Sequence, residues 1–266
     1  MFSADPKLLQ RLEPVVRRVL IADPNVASAR MLGDLLKGLG AKQLAFEPEE
    51  RRALEMAREL DPGVIFVERS GPRLDGESFT KRLRRSSFNC RRVPVIMVTS
   101  DATASSIKGA RDAGVHEFLR KPFTAGDLLK RIEVVALKPR DWIEAVGYVG
   151  PDRRRFNSGE YAGPRKRRAD AAQTPDQVQA SNQDRCLRIL RAAISQFNND
   201  PVQAVRAIAE QTAQLKKISA QVGQARMAVA VAGLELALSL GAASREVLAK
   251  AAADCIEAFG GIKDAA

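Results

Sequence analysis

The chain has 266 residues, enough for one or two domains with a substantial buried core, and its 43 lysines and arginines outnumber 32 aspartates and glutamates to give a net charge of +11. One histidine and three scattered cysteines, Cys90, Cys186 and Cys255, exclude a disulfide framework, a paired-cysteine zinc site and any metal cluster or catalytic triad built on a histidine pair. No window approaches the run of about 18 apolar residues that spans a bilayer and no secretory leader pattern opens the chain, so a cytoplasmic protein without membrane insertion is expected, its charge favouring an anionic partner.

Residues 1–16 read as a short N-terminal extension. From there to residue 138, short apolar runs alternate with helix-period segments, the pattern of a parallel sheet covered by helices. Strands are expected at Arg18–Ala22, Gln43–Phe46, Val64–Val67, Val95–Val98 and Glu117–Leu119, with helices beginning near Val26, Glu49, Gly76 and Ala104 and a last one over Ala125–Leu137. The fold class is therefore α/β, a doubly wound (βα)5 domain over residues 1–138. In such sheets functional groups gather at the carboxyl ends of the strands, where this sequence places Asp23, Glu68, Thr99 and Lys121. His116, ahead of the fifth strand, reads as a solvated loop residue. Lys81, Arg82, Arg84, Arg85, Arg91 and Arg92 read as a solvated basic face around the third helix. No Walker loop and no GxGxxG follows a strand, so nothing points to nucleotide hydrolysis.

Between Lys138 and Thr174 the periodicity gives way to Pro, Gly and Arg, which reads as a linker or tail over residues 139–174. Arg153 to Arg168 holds seven basic residues and one acidic, over half of the net charge. Within it YVGPDRRR, starting at Tyr148, is echoed as YAGPRKRR from Tyr161. Residues 175–266 then read as an all-α bundle of three or four helices. Leu187, Leu190, Ile194 and Phe197 share one face, and Asp200-Pro201 supplies an N-cap with Pro at the first helical position. Gly223 is an ambiguous break. Ala225–Leu240, apolar almost all round, is expected to be the most buried helix; Gly241 would end it, Ser244 cap the next, and Gly260-Gly261 end that one.

The sheet-edge residues carry a resemblance. VPVIMVTSDATASSIKGARDAGVHEFLRKPF, Val93 to Phe123, together with the turn VIFVERSGPRLDG, Val64 to Gly76, is similar to the receiver domain of bacterial response regulators, the CheY-like family. In that family an Asp ending the third strand accepts a phosphoryl group, acidic residues after the first strand help hold Mg²⁺, and a hydroxyl and a lysine bind the product. The resemblance places Thr99 at the hydroxyl, Lys121 at the lysine and Phe118 at the aromatic switch. It also exposes two departures: the acceptor position is Glu68, and the acidic pair is Asp23-Pro24. Glutamate reaches further by one methylene, roughly 1.5 Å, and proline offers the metal nothing. The implication is a degenerate pseudo-receiver, with no metal, no cofactor and no catalytic residue. Beside Lys121, Glu68 either imitates the phosphorylated state or forms a structural ion pair.

The basic tail more loosely resembles the arginine-rich tails of Cle proteins, CheY-like flagellar regulators that bind cyclic di-GMP. That resemblance makes Tyr148, Arg153, Arg154 and Arg155 nucleotide-binding candidates, with Tyr161, Arg165, Arg167 and Arg168 as a second set, since guanidinium planes stack on bases and bond phosphates bidentately. A basic linker that solubilises, or that touches nucleic acid without specificity, explains the same composition. The expected function is a non-enzymatic signalling adaptor binding other signalling proteins through its receiver face or helical domain. The alternatives are a cyclic di-GMP effector and a nucleic-acid-binding regulator. Ala-rich bundle faces also fit a homodimer.

Overall fold

The computed structural model describes residues 5–101, 103–153, 175–240 and 244–260. They form two compact units. One runs to Ile143 and resumes at Tyr148; the other contains Glu144–Gly147 and the helices from Pro175 onward.

The first unit runs α1 (Pro6–Val16), β1 (Arg18–Ala22), α2 (Val26–Gly38), β2 (Gln43–Phe46), α3 (Glu50–Leu60) and β3 (Val64–Glu68). A small hairpin of β4 (Ser70–Gly71) and β5 (Leu74–Asp75) leads into α4 (Gly76–Arg85), β6 (Val95–Thr99), α5 (Ala104–Ala113), β7 (Glu117–Arg120) and α6 (Ala125–Leu137). Five strands form one parallel sheet in the order β2-β1-β3-β6-β7. β1, β3 and β6 are nearly continuous apolar runs because helices cover both faces. Leu20, Ile65, Val67, Val95 and Met97 pack against α3, α4 and α5, whereas Val19, Ile21, Phe66 and Ile96 pack against α1, α2 and α6. Side chains at the helix starts fix where each begins: Asn25 accepts from the amide of Ser28, Asp75 from Glu77 and Ser78, and Thr124 and Asp127 cap each other reciprocally.

The (βα)5 expectation is met, with three corrections. The N-terminal extension contains α1, whose Leu12 and Val16 are fully buried; the Asp5-Pro6 cap and the apolar spacing of Leu8, Leu9, Leu12 and Val16 signal it in the sequence. Arg84 is not part of a solvated face. It is 1% exposed and its guanidinium donates to the carbonyls of Gly114, Arg91 and Val93 and to His116 Nδ1, at 2.7–3.1 Å. Burial pulls its pKa down to about 9, still above neutral pH, so the group stays charged. His116 in turn is no solvated loop residue: Nδ1 also accepts from the amide of Val95, and Arg140 donates to its carbonyl. Lys81, Arg82, Arg85 and Arg92 are exposed as expected.

The expected linker is structured over its first part. β8 (Trp142–Glu144) pairs with β9 (Val149–Pro151), and the guanidinium groups of Arg84, Arg91 and Arg92 lie 5.3–5.9 Å from the centre of the Trp142 ring. Gly114 and Gly150 both have positive φ, and a side chain at Gly114 would strike the Val149 carbonyl at 2.7 Å, so β9 depends on glycine for its close approach.

The second unit consists of α7 (Pro175–Ser195), α8 (Pro201–Val222), α9 (Ala225–Ser239) and α10 (Arg245–Gly260) around Leu187, Leu190, Ile208, Leu215, Leu234 and Phe259. Asp200 caps α8 and Gly223, left-handed, separates it from α9. Ser244 accepts from the Val247 amide at the start of α10. Gln203 donates to the buried Glu144 carboxylate at 2.7 Å and Gln211 to its carbonyl at 3.3 Å, which seats Glu144 on α8. The expectation that Ala225–Leu240 is the most buried helix fails. Only Met227, Val231, Leu234 and Ala237 of α9 are buried, against nine residues of α8, while Val229 is 72% and Leu236 63% exposed.

Candidate functional site

The order of the sheet reverses at β1, whose neighbours are β2 and β3, so the carboxyl ends of β1 and β3 open a crevice there. Asp23 follows β1, Glu68 ends β3, Thr99 ends β6, and Lys121 follows β7. The structure brings Asp23, Glu68 and Lys121 together. Lys121 Nζ lies 2.5 Å from Glu68 Oε2 and 3.0 Å from Asp23 Oδ2. The other carboxylate oxygens are engaged as well: Asp23 Oδ1 accepts from the Asn25 amide and Glu68 Oε1 from its neighbour Arg69. Burial alone would lower the lysine pKa. The hydrogen bonds and charges of Glu68 and Asp23 outweigh it and hold the ammonium above its ordinary value.

Pro24 contributes shape. A Cβ placed on Gly71, in the β4–β5 hairpin, would meet the Pro24 ring at 2.7 Å, so ring and hairpin are in close apposition. Thr99 is buried and its hydroxyl accepts from the Asp101 amide at 3.1 Å, turned to its own loop. Phe118 is buried among Phe79, Leu83, Val95 and Met97. Among the described residues no group of three or more His, Cys, Asp or Glu side chains could hold a metal ion. Asp23 and Glu68, the two carboxylates at the site, are already bridged by one ammonium.

Sequence reading missed Arg69 and Asp101. Arg69 Nη1 binds Asp101 Oδ2 at 2.9 Å and its Nε lies 3.6 Å from Glu77, which ties the end of β3 to the loop after β6 and to α4. Ser106 donates to the same Asp101 oxygen, and this bond, with the Thr103 amide, keeps the Asp101 carboxyl below its usual pKa. The adjacency of Glu68 and Arg69 was visible in the sequence, but the Asp101 partner 32 residues away was not.

Of the tail candidates, Tyr148 is buried and its hydroxyl donates to the Pro151 carbonyl at 2.6 Å. Arg153 stacks on the Tyr148 ring, 4.4 Å from its centre, and pairs with Asp112 at 2.9 Å. Arg154, Arg155, Tyr161, Arg165, Arg167 and Arg168 lie outside the described residues.

Residues 19–133 match the response regulator receiver domain. The probable chemotaxis protein CheY of Rhizobium etli is 27% identical over 118 residues, 44% of this chain and 91% of that protein. The transcriptional regulatory protein PdtaR of Mycobacterium tuberculosis is 28% identical over 135 residues, 51% of this chain and 64% of its own length. The sensory/regulatory protein RpfC of Xanthomonas campestris is 30% identical over 138 residues, which span 52% of this chain but 19% of RpfC. A solved structure of CheY4 from Vibrio cholerae shares 25% identity, covering 45% of this chain and 98% of its own, with a TM-score of 0.42. Residues 19–133 are thus similar to response regulator receiver domains of the CheY type. The chain spans 19% of RpfC and 64% of PdtaR, and its described region from Pro175 onward is helical. Among the described residues no helix is long and apolar enough to cross a membrane.

Proposed function

We propose that this receiver domain neither binds Mg²⁺ nor accepts a phosphoryl group, and that the protein acts as a non-enzymatic signalling adaptor through protein–protein contacts. The observation that carries the reading is the single ammonium of Lys121 bridging Glu68 and Asp23. In-line phosphoryl transfer needs a carboxylate oxygen free to attack and a divalent cation to neutralise the phosphoryl oxygens. Here Glu68 reaches out to the lysine itself, and the position that would add a second carboxylate beside Asp23 is Pro24, packed on Gly71. Magnesium demands near-octahedral oxygen geometry and binds through few carboxylates, so the loss of one is severe. The Glu68–Lys121 contact holds a negative charge against the lysine without any phosphodonor, which supports a domain held in one state and used as a docking platform for other signalling proteins. Calorimetric titration of Mg²⁺ is expected to give no saturable heat with the natural protein and saturable binding with Pro24→Asp/Glu68→Asp. Saturable binding to the natural protein would defeat the proposal.

A second reading, cyclic di-GMP binding through the tail, draws support from the Arg153 guanidinium lying over the Tyr148 ring, since guanidinium groups that pack on aromatic faces can also pack on bases. Such binding would have to replace the Asp112 and Tyr148 contacts of Arg153. Titration of cyclic di-GMP with and without Arg153, Arg154 and Arg155 changed to Ala tests it: saturable, base-specific binding that vanishes in the variant supports it. Binding without base preference that falls steeply with salt would indicate nucleic-acid binding instead.

A further inference from the structure

At the opposite pole of the sheet, beside the amino ends of β6 and β7, a cavity of about 270 Å³ is lined by Arg92, His116, Glu117, Lys138, Arg140 and Trp142, with apolar wall from the end of α6. We propose that this cavity binds a small phosphate-bearing anion. Its lining is strongly one-sided in charge. Arg92, Lys138 and Arg140 bring three cations against the single lining carboxylate of Glu117, which lies 3.5 Å from Arg131 and whose charge, with that of Asp152, also acts on Arg140.

His116 sharpens the choice of ligand. Its Nδ1 faces the Arg84 guanidinium at 3.1 Å and the Val95 amide at 3.3 Å, two groups that can only donate. Nδ1 therefore carries no proton, and a neutral ring holds its hydrogen on Nε2. Burial, reinforced by Arg84 and Arg140, disfavours the protonated ring in the same direction. Apart from Glu117, the polar side chains lining the cavity are donors: two guanidiniums, an ammonium and an imidazole N–H. Their complement is an acceptor-only anion with several oxygens, and arginine forks match phosphate oxygens bidentately. Arg84 and Arg91, stacked on Trp142 with Arg92, add further positive charge around the ring. The volume sits near the lower end of ligand clefts, about 300–1,000 Å³, which suits a simple phosphate ester and is too small for a cyclic dinucleotide. The lining includes none of Tyr148, Arg153, Glu68 and Lys121.

Trp142 is the sole tryptophan of the chain, so its fluorescence reports on this cavity directly. Full-length protein would be titrated with inorganic phosphate and with ribose 5-phosphate, against sodium chloride at matched ionic strength. A saturable emission change is expected with the phosphates and not with chloride. In Lys138→Ala, which leaves the arginines around Trp142 in place, and in Arg92→Ala/Lys138→Ala the midpoint should rise, by about tenfold or more in the double variant, with the far-ultraviolet circular dichroism of the natural protein retained. Arg153→Ala should bind as the natural protein does. A response by both probes indicates that the site reads phosphate alone, and a response to the ester only indicates that it also reads the sugar. The proposal falls if neither fluorescence nor calorimetry shows saturable binding, if chloride reproduces the change, or if the double variant binds unaltered.

Discussion

Half-buried Lys121 and buried Arg84 are two cations held in opposite ways. Lys121 is held by two carboxylates, and its pKa is raised above the ordinary 10.5. The stability this raised pKa contributes is fully present below pH 10.5 and is lost as pH rises through the higher folded-state value. Urea unfolding of the natural protein and Lys121→Met from neutral pH upward should show a difference that stays constant and then shrinks only above pH 10.5; a difference that shrinks between pH 7 and 9 would contradict the pairing. Arg84 has no carboxylate among these partners and is fixed by three carbonyls from two segments, Arg91 and Val93 in one and Gly114 in the other. Arg84→Met leaves those acceptors buried without a donor and should cost about 3–5 kcal/mol in denaturant unfolding, whereas Lys81→Met, on the exposed side of the same helix, should stay within about 0.5 kcal/mol. The strand-end placement of Asp23, Glu68, Thr99 and Lys121 was legible because strand pattern and resemblance located them one by one. Arg84 was not: within a run of basic residues, one-dimensional composition cannot distinguish the arginine whose acceptors lie 7, 9 and 30 residues away.

Elements whose pattern has one solution were read correctly. The strands with apolar runs and the helices with side-chain caps fall within a residue or two of their expected limits, since an Asp75-Gly76 or Thr124-Ala125 boundary is a local chemical fact. α9 failed because a helix that is apolar all round does not say which side faces its neighbours. The structure chooses the face of Met227, Val231 and Leu234 and leaves Val229 and Leu236 outward. Leu234→Ala should therefore cost about 2–5 kcal/mol by cavity formation, while Leu236→Ala should change stability by less than about 0.5 kcal/mol; equal losses in thermal unfolding would mean that the helix is turned the other way. The β8–β9 segment was illegible for a different reason. Three-residue strands leave no periodicity, and the order of this stretch comes from Trp142 under its arginines and from the Gly114–Gly150 approach, both long-range.

At the scale of the whole molecule, the receiver fold was legible in the sequence because five strand–helix repeats and the residues at their ends agree with each other. Its functional state was less so. Glu68 and Pro24 were visible as departures, but their consequence depends on where the Lys121 ammonium sits, and only the structure places it between both carboxylates. An anion bound by the basic tail or by the cavity beside Trp142 would suit a chain whose net charge of +11 favours such ligands, and without phosphoryl chemistry at the sheet edge ligand and partner binding would be the inputs. The most direct test of that account is intact mass after incubation with a small phosphodonor and Mg²⁺, comparing the natural protein, Glu68→Asp and Pro24→Asp/Glu68→Asp. The account predicts no added phosphoryl mass on the first two and Mg²⁺-dependent addition on the third. Phosphoryl transfer to the natural protein at Glu68, or to Glu68→Asp with Pro24 still in place, would contradict it.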